Sequence, residues 1–291
     1  MAVRLPFVGW VERAASRRWV GHYAMAAIFA WALCCLALAG FAAPAVAAVP
    51  TDVDLQLVLA VDVSRSMDAD EQRLQRDGYV AAFRHQDVID AITANPIGKI
   101  AVTYVEWSGP ELQTVVVPWT VIASRSDAEA FAAELAAAPI GHGSRTSISG
   151  ALTFGASLLA GSTFRSEREA IDVSGDGPNN AGVPVDATRD AVVGRGITIN
   201  GLPIMVKAGM GFGRIANLDA YYQNCVVGGP GAFMLTINDT SQFETAIRRK
   251  IVLEIAGMPA KAIPVADVAG ASPVDCQIGE KTQGNWNLYL H

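Results

Sequence analysis

Five oxygen-bearing side chains at three separated places carry the clearest chemical signal in this chain. They are Asp62, Ser64 and Ser66 in DVSRS, Thr146 in GSRTSIS, and Asp176 in DVSGDG. Carboxylates and hydroxyls, with no thiol or imidazole among them, suit a small hard cation. Magnesium is the first choice; manganese and calcium take the same donors. Asp62, Ser64 and Ser66 alternate, and residues two apart in extended backbone point to the same side. Magnesium takes about six oxygens at ~2.0–2.1 Å and often keeps waters. This set leaves coordination positions open, for water or for a carboxylate from a partner. Serines in a loop also serve as helix caps. Thr146 and Asp176 turn the balance from capping toward a metal site.

The elements that must position these residues follow from the apolar pattern. Leu55–Val61 is nearly all apolar, as expected of a strand covered on both faces. Ile100–Trp107 reads as a second strand. Gln113–Ile122 reads as a third, and Pro118 inside it demands an edge or a bulge. The short Ser-Gly-Pro link after Trp107 suits an antiparallel hairpin. Ala170–Val173, Ile197–Met205 and Ala232–Ile237 read as further strands. Asp68 and Glu71 have capping-box spacing ahead of a helix over about 70–85, and Ser241 with Glu244 has it ahead of a closing helix to about Ile255. Helices are also expected over about 126–138 and 147–160, and after Pro184. Alternating strands and helices predict an α/β domain with a mostly parallel sheet over 52–257. Ligands in such sheets sit at the carboxyl ends of strands, where Asp62 and Asp176 fall. Residues 258–291, rich in Pro and Ala at first, are expected to form an irregular tail.

Composition narrows the function classes. The chain has 291 residues, 51% hydrophobic and 17% charged, enough for one large domain. Its net charge is −6; residues 1–48 contribute +3, so the remainder carries −9. That acidic body argues against nucleic acid as a partner. Arg17 and Arg18 precede an apolar stretch over about 25–43, followed by Ala45-Val46-Ala47. This reads as a signal peptide over 1–48, with an uncleaved N-terminal anchor as the rival reading. The expected location is therefore exported, periplasmic or secreted. Beyond that segment only Cys225 and Cys276 remain, and an exported chain permits a disulfide between them.

DVSRS, the threonine of GSRTSIS and the aspartate of SGDG together resemble the metal-ion-dependent adhesion site of von Willebrand factor A-like domains. The stretches YVEWSGP, VVPWT and DVSGDGPNN also resemble a bacterial family of exported A-like domains without an assigned role. The resemblance implies an open, mostly parallel, six-stranded Rossmann-like sheet flanked by helices, with one short antiparallel edge strand. It implies that Ser64, Ser66 and Thr146 offer hydroxyls to a divalent cation, and that Asp62 and Asp176 bind it directly or through water. It implies a protein partner whose acidic side chain completes the coordination. One departure is Ser174-Gly175, where a threonine often stands beside the aspartate. This affects the hydrogen bonding behind the ligands.

An enzyme reading needs a base or a nucleophile. A bound metal can activate water, so a magnesium-dependent hydrolase is the alternative to a binding module, with a structural envelope protein as a third. No histidine or lysine stands beside Asp62 or Asp176 in sequence, and neither G-x-S-x-G nor a phosphate-binding G-x-x-x-x-G-K-[ST] loop is present. Gly209, Gly211 and Gly213 lack the flanks of a nucleotide fingerprint. A binding module is the expected function.

Overall fold

A computed structural model describes residues 50–207, 209, 213–257 and 274–289, with side chains as far as 283. The expected signal segment and the middle of the glycine-rich stretch at 210–212 lie outside these residues. The core is a sheet of five strands in the order β4-β3-β2-β6-β7. Its members are β2 (Leu55–Asp62), β3 (Ile100–Trp107), β4 (Gln113–Ile122), β6 (Glu169–Gly175) and β7 (Thr198–Pro203). All neighbours are parallel except β3 and β4. A separate two-residue pair joins β1 (Thr51–Asp52) to β5 (Phe164–Arg165).

The architecture is the expected α/β sheet, with two differences in detail. Ala232–Ile237 does not form a continuous sixth strand. It touches β7 and the residue after it through isolated bridges, Gly201 with Met234 and Ile204 with Ile237. A run of Gly-Gly-Pro-Gly at 228–231 precedes it and leaves little regular extended backbone to pair. The antiparallel edge strand β4 is also long, spanning ten residues. Pro118 sits in it at the sheet edge, beside register shifts between Val102 and Val105.

Alternation along β2 divides the interior into two cores. Leu55, Leu57, Leu59 and Val61 face one side, with Tyr79 and Phe83 of α1 (Ala69–Arg84) and with Ile247 and Ile251 of the helix Phe243–Ala256, α7. Val58 and Ala60 face the other, with Leu152 of α4 (Ile148–Ala160) and Val192 of α5 (Val185–Val193). Two further helices, α2 (Gln86–Thr93) and α3 (Arg125–Ala137), lie on the first side. The short α6 (Leu218–Tyr221) runs into a π-helical turn over Tyr222–Val226 on the second. Asp68 forms its capping box with Glu71. Ser241 does not cap α7 (Phe243–Ala256). Its amide and hydroxyl both donate to Asp239, and a single turn at Thr240–Gln242 leads into the helix instead.

Helix α7 is pinned to the sheet by buried charge. Lys250 Nζ lies 2.6 Å from Asp172 Oδ1 on β6, pairs also with Glu254, and stands 5.0 Å from the Phe233 ring centroid. Burial, together with the Asp172 charge, pushes Glu254 up to about 8. Burial pulls the Lys250 ammonium down, but the two carboxyl groups outweigh it and leave its pKa raised. Burial raises the Asp172 carboxyl as well, against the pull of Lys250.

The tail expected to be irregular ends in α8 (Ile278–Tyr289). A disulfide joins Cys225 to Cys276, with Cα atoms 5.5 Å apart. Tyr221 Oη donates to the Cys276 carbonyl at 3.2 Å, and Asn179 Nδ2 donates to Glu280 Oε1 at 2.7 Å.

Two outcomes follow. Lys250→Met should lower stability in urea by about 3–5 kcal/mol, because it strands Asp172 in the interior without its partner. Cys276→Ser should raise hydrogen exchange across 274–283 by orders of magnitude while sheet amides stay protected, since the bond holds the tail and not the sheet.

Candidate metal centre

The carboxyl ends of β2 and β6 leave side by side, because those strands are paired in parallel from Gln56–Glu169 to Val61–Ser174. Asp62 closes one and Asp176 follows the other. Backbone bonds then stitch the three loops together. Gly143 N donates to Val63 O at 3.0 Å, joining the second loop to the first. A side chain at 143 would run into Ser108, whose Oγ would stand 1.7 Å from its Cβ, so only glycine fits. The second and third loops exchange a reciprocal pair: Asn180 N donates to Thr146 O at 2.8 Å, and Thr146 N donates to Asn180 Oδ1 at 3.0 Å. Asn179 Oδ1 accepts from Ser149 N at 3.0 Å. Below the second loop, Arg76 pairs with Glu106, and Glu106 Oε2 accepts from Gly141 N at 2.7 Å.

The five predicted residues meet at this edge. Thr146 Oγ1 lies 3.4 Å from Ser64 Oγ, Ser64 Oγ lies 2.9 Å from Ser66 Oγ, and Ser66 donates to Asp176 Oδ1 at 2.5 Å. Asp62 Oδ1 accepts from Ser64 N at 2.7 Å. Asp62, Ser64, Thr146 and Asp176 are at most 2% exposed, and Ser66 alone is half-buried. Burial raises the Asp62 carboxyl well above its usual range, with the Asp176 charge adding to the effect. Burial lifts Asp176 to about 6 against the pull of Arg214.

The donor set fits a hard divalent cation. It is made of oxygen throughout, and Asp62 Oδ2 is buried with no hydrogen-bond partner among the described residues. Burial and the neighbouring Asp176 charge both oppose ionisation of Asp62, a deficit a cation relieves. No group of three His, Cys, Asp or Glu side chains with metal-ligand placement occurs among the described residues. Hydroxyls therefore have to carry part of any coordination here. His142, at the edge of the second loop, is exposed.

Four residues of this edge escaped the sequence pattern. Asn179 and Asn180 hold the loops in place. Tyr222 answers the Ser174-Gly175 departure. A Cβ at 175 would stand 2.9 Å from Asp62 Oδ2 and 3.0 Å from Tyr222 Oη, so the phenol hydroxyl sits in space a larger residue would claim. Burial raises the Tyr222 pKa well above its usual range, and its hydroxyl has no hydrogen-bond partner among the described residues. Arg214 is the fourth. Its Nη2 lies 2.6 Å from Asp176 Oδ2, 2.9 Å from Glu71 Oε2 and 2.5 Å from Ser66 O. Nothing in the spacing of Arg214 signals this. It stands 148 residues from Ser66 and follows a glycine-rich run.

The fold is that of von Willebrand factor A-like domains. Proximal thread matrix protein 1 from the mussel byssus, solved with a zinc-occupied MIDAS motif, is 15% identical. The match covers 71% of this chain and 49% of that one, with a TM-score of 0.53. The pilus adhesin SpaC from Lactobacillus rhamnosus GG is 13% identical over 70% of this chain and 31% of its own, also with a TM-score of 0.53. The chain thus spans half or less of these larger proteins, and the likeness is one of fold. No curated protein matches it in sequence. Residues 52–259 match the family model described as "Protein of unknown function (DUF1194)", and with that match covering most of its length the chain belongs to this family.

Proposed function

We propose that this protein is an exported binding module that grips an acidic side chain of a protein partner through one divalent cation. The observation that carries the reading is the meeting of five oxygen donors from three loops around a buried, unpartnered Asp62 oxygen. Asp62, Ser64, Ser66, Thr146 and Asp176 hold the ion, which is magnesium or, with the same donors, manganese or calcium. Bound there, the cation supplies a Lewis-acidic position that a carboxylate can fill. Because three of the five donors are neutral hydroxyls, the ion keeps more of its charge than in an all-carboxylate site. That favours capture of an anionic group. The groups beside the donors are amides, the Tyr222 phenol, and Arg214 paired with Glu71.

Export is supported by the disulfide, which persists in oxidising compartments. Among the described residues no helix is long and apolar enough to cross a membrane. The zinc in the mussel matrix protein's motif and the adhesin role of SpaC are properties of those proteins. They agree with this reading without fixing the ion or the partner here.

Calorimetry with Mn2+ should give one site in the wild-type chain. Asp62→Ala and Thr146→Ala should each weaken it beyond the ~10–100-fold that follows loss of a supporting group, with the circular-dichroism spectrum kept. Affinity capture from native extract should recover an acidic partner surface with magnesium and lose it in chelator. Capture that is indifferent to chelator and to Asp62→Ala would end the bridging idea. A fall in melting temperature alone would then leave the ion a structural role.

A further inference from the structure

The face around the donors carries positive charge that metal binding does not use. Arg65 stands between Ser64 and Ser66 in the first loop, and Arg145 directly precedes Thr146 in the second. Both arginines are exposed, while Ser64 and Thr146 beside them are buried. The two backbones run side by side here. Ser64 and Gly143 form an isolated parallel bridge, and Gly143 N donates to Val63 O at 3.0 Å. Arg65 directly follows its side of that bridge, and Ser144 alone separates Arg145 from the other side. Both arginines are therefore anchored at one spot on the rim of the site.

Neither is engaged within the fold. Arg65, Arg145 and Arg249 are the arginines that neither pair with a carboxylate nor donate a side-chain hydrogen bond among the described residues. Two of these three flank the donors. The carboxylates that follow the first loop have cations of their own: Asp68 pairs with Lys207, and Asp70 with Arg73. Glu111 is exposed on the turn beside the second loop, where a Cβ at Gly109 would stand 3.6 Å from Arg145 Cβ. No ion pair joins Glu111 to Arg145 among the described residues.

The sign of this patch runs against the rest of the molecule. Residues 49–291 carry −9, a field that repels acidic partners in general. Two guanidinium groups on the ligand loops give the approach to the ion the opposite sign. Guanidinium also matches carboxylate geometry, taking both oxygens with its fork. An extended segment of about five residues spans ~17 Å. That length lays one carboxylate on the ion and others of the same segment on the arginines beside it.

We propose that the partner's docking segment is acid-rich, with one carboxylate on the cation and neighbouring ones on Arg65 and Arg145. This rests on the metal reading above and names the chemistry of the partner. The ion anchors the segment, and the arginines select a run of acids over a lone aspartate or glutamate.

The test uses the full chain with two probes: hexaglutamate, and a peptide of equal length with a single glutamate among serines. Binding is read by fluorescence anisotropy in saturating Mg2+ at low salt. Hexaglutamate should bind with Mg2+ and not in chelator, and its affinity should fall more steeply with salt than that of the single-glutamate peptide. The double variant Arg65→Gln/Arg145→Gln should lose about fivefold toward hexaglutamate, the range of two exposed pairs. It should keep wild-type affinity for the single-glutamate peptide and for Mn2+. Arg65→Lys/Arg145→Lys, which retains the charges, should recover most of the loss. A folded double variant that holds hexaglutamate as tightly as wild type overturns the proposal, as does hexaglutamate binding that is indifferent to chelator. Should the double variant not fold, the salt dependence of the wild-type chain decides, and equal slopes for the two peptides end the idea. Wild type that binds Mn2+ but not hexaglutamate removes the acid-rich partner and leaves the metal reading standing; wild type that binds no Mn2+ removes both.

Discussion

The structure turns on a small set of backbone bonds at one edge of the sheet. Three loops that are far apart in sequence are joined there by Gly143 to Val63, and by the reciprocal Thr146–Asn180 pair. Everything chemical depends on this stitching. Hydroxyls are weak ligands one at a time, and they act on an ion only when their backbones are held at fixed separations. The parallel pairing of β2 and β6 brings Asp62 and Asp176 to the same edge. The amide bonds then bring Thr146 to them. Gly143 lies where no larger residue can, so the second loop can approach the first closely enough to bond.

Buried charge is handled differently at the two ends of the sheet. Near the middle of β6, Asp172 meets a lysine from α7, and the pair is closed in on itself. At the carboxyl edge, Asp62 has no cationic partner among the described residues, and Asp176 meets an arginine outside any helix or strand. The first arrangement fixes a helix against the sheet. The second pairs one of its two carboxylates with an arginine outside any helix or strand. Unpaired charge in an interior is expensive, and the orphaned Asp62 oxygen makes this edge a costly place in the fold.

Much of this was legible in the sequence. Unbroken apolar runs such as Leu55–Val61 announce strands covered on both sides, and Pro118 announces an edge. The five oxygen-bearing side chains that meet at the sheet edge were legible too, because strand ends and loop motifs are local patterns. What was not legible depends on contacts between distant residues. Asp239 takes Ser241 away from α7, so local capping-box spacing misleads. Ala232–Ile237 is apolar enough for a strand yet follows too much glycine and proline to pair along its length. Asn179, Asn180, Tyr222 and Arg214 have ordinary local contexts and gain their roles only from neighbours brought in by the fold. The helical end of the tail was hidden by the Pro- and Ala-rich composition that precedes it.

The disulfide has a mechanical consequence. The carboxyl end of α7 sits at the amino edge of the sheet, where Arg168 and Asn95 donate to the Ile255 carbonyl. Cys276 sits at the opposite edge, tied to Cys225 and, through Tyr221, to Asn179 in the third loop. The disulfide thus ties the start of the tail helix to the loop that carries Asp176, at the edge opposite the end of α7. Cutting the sulfur link would release the tail from that loop and leave the ladders of the sheet untouched.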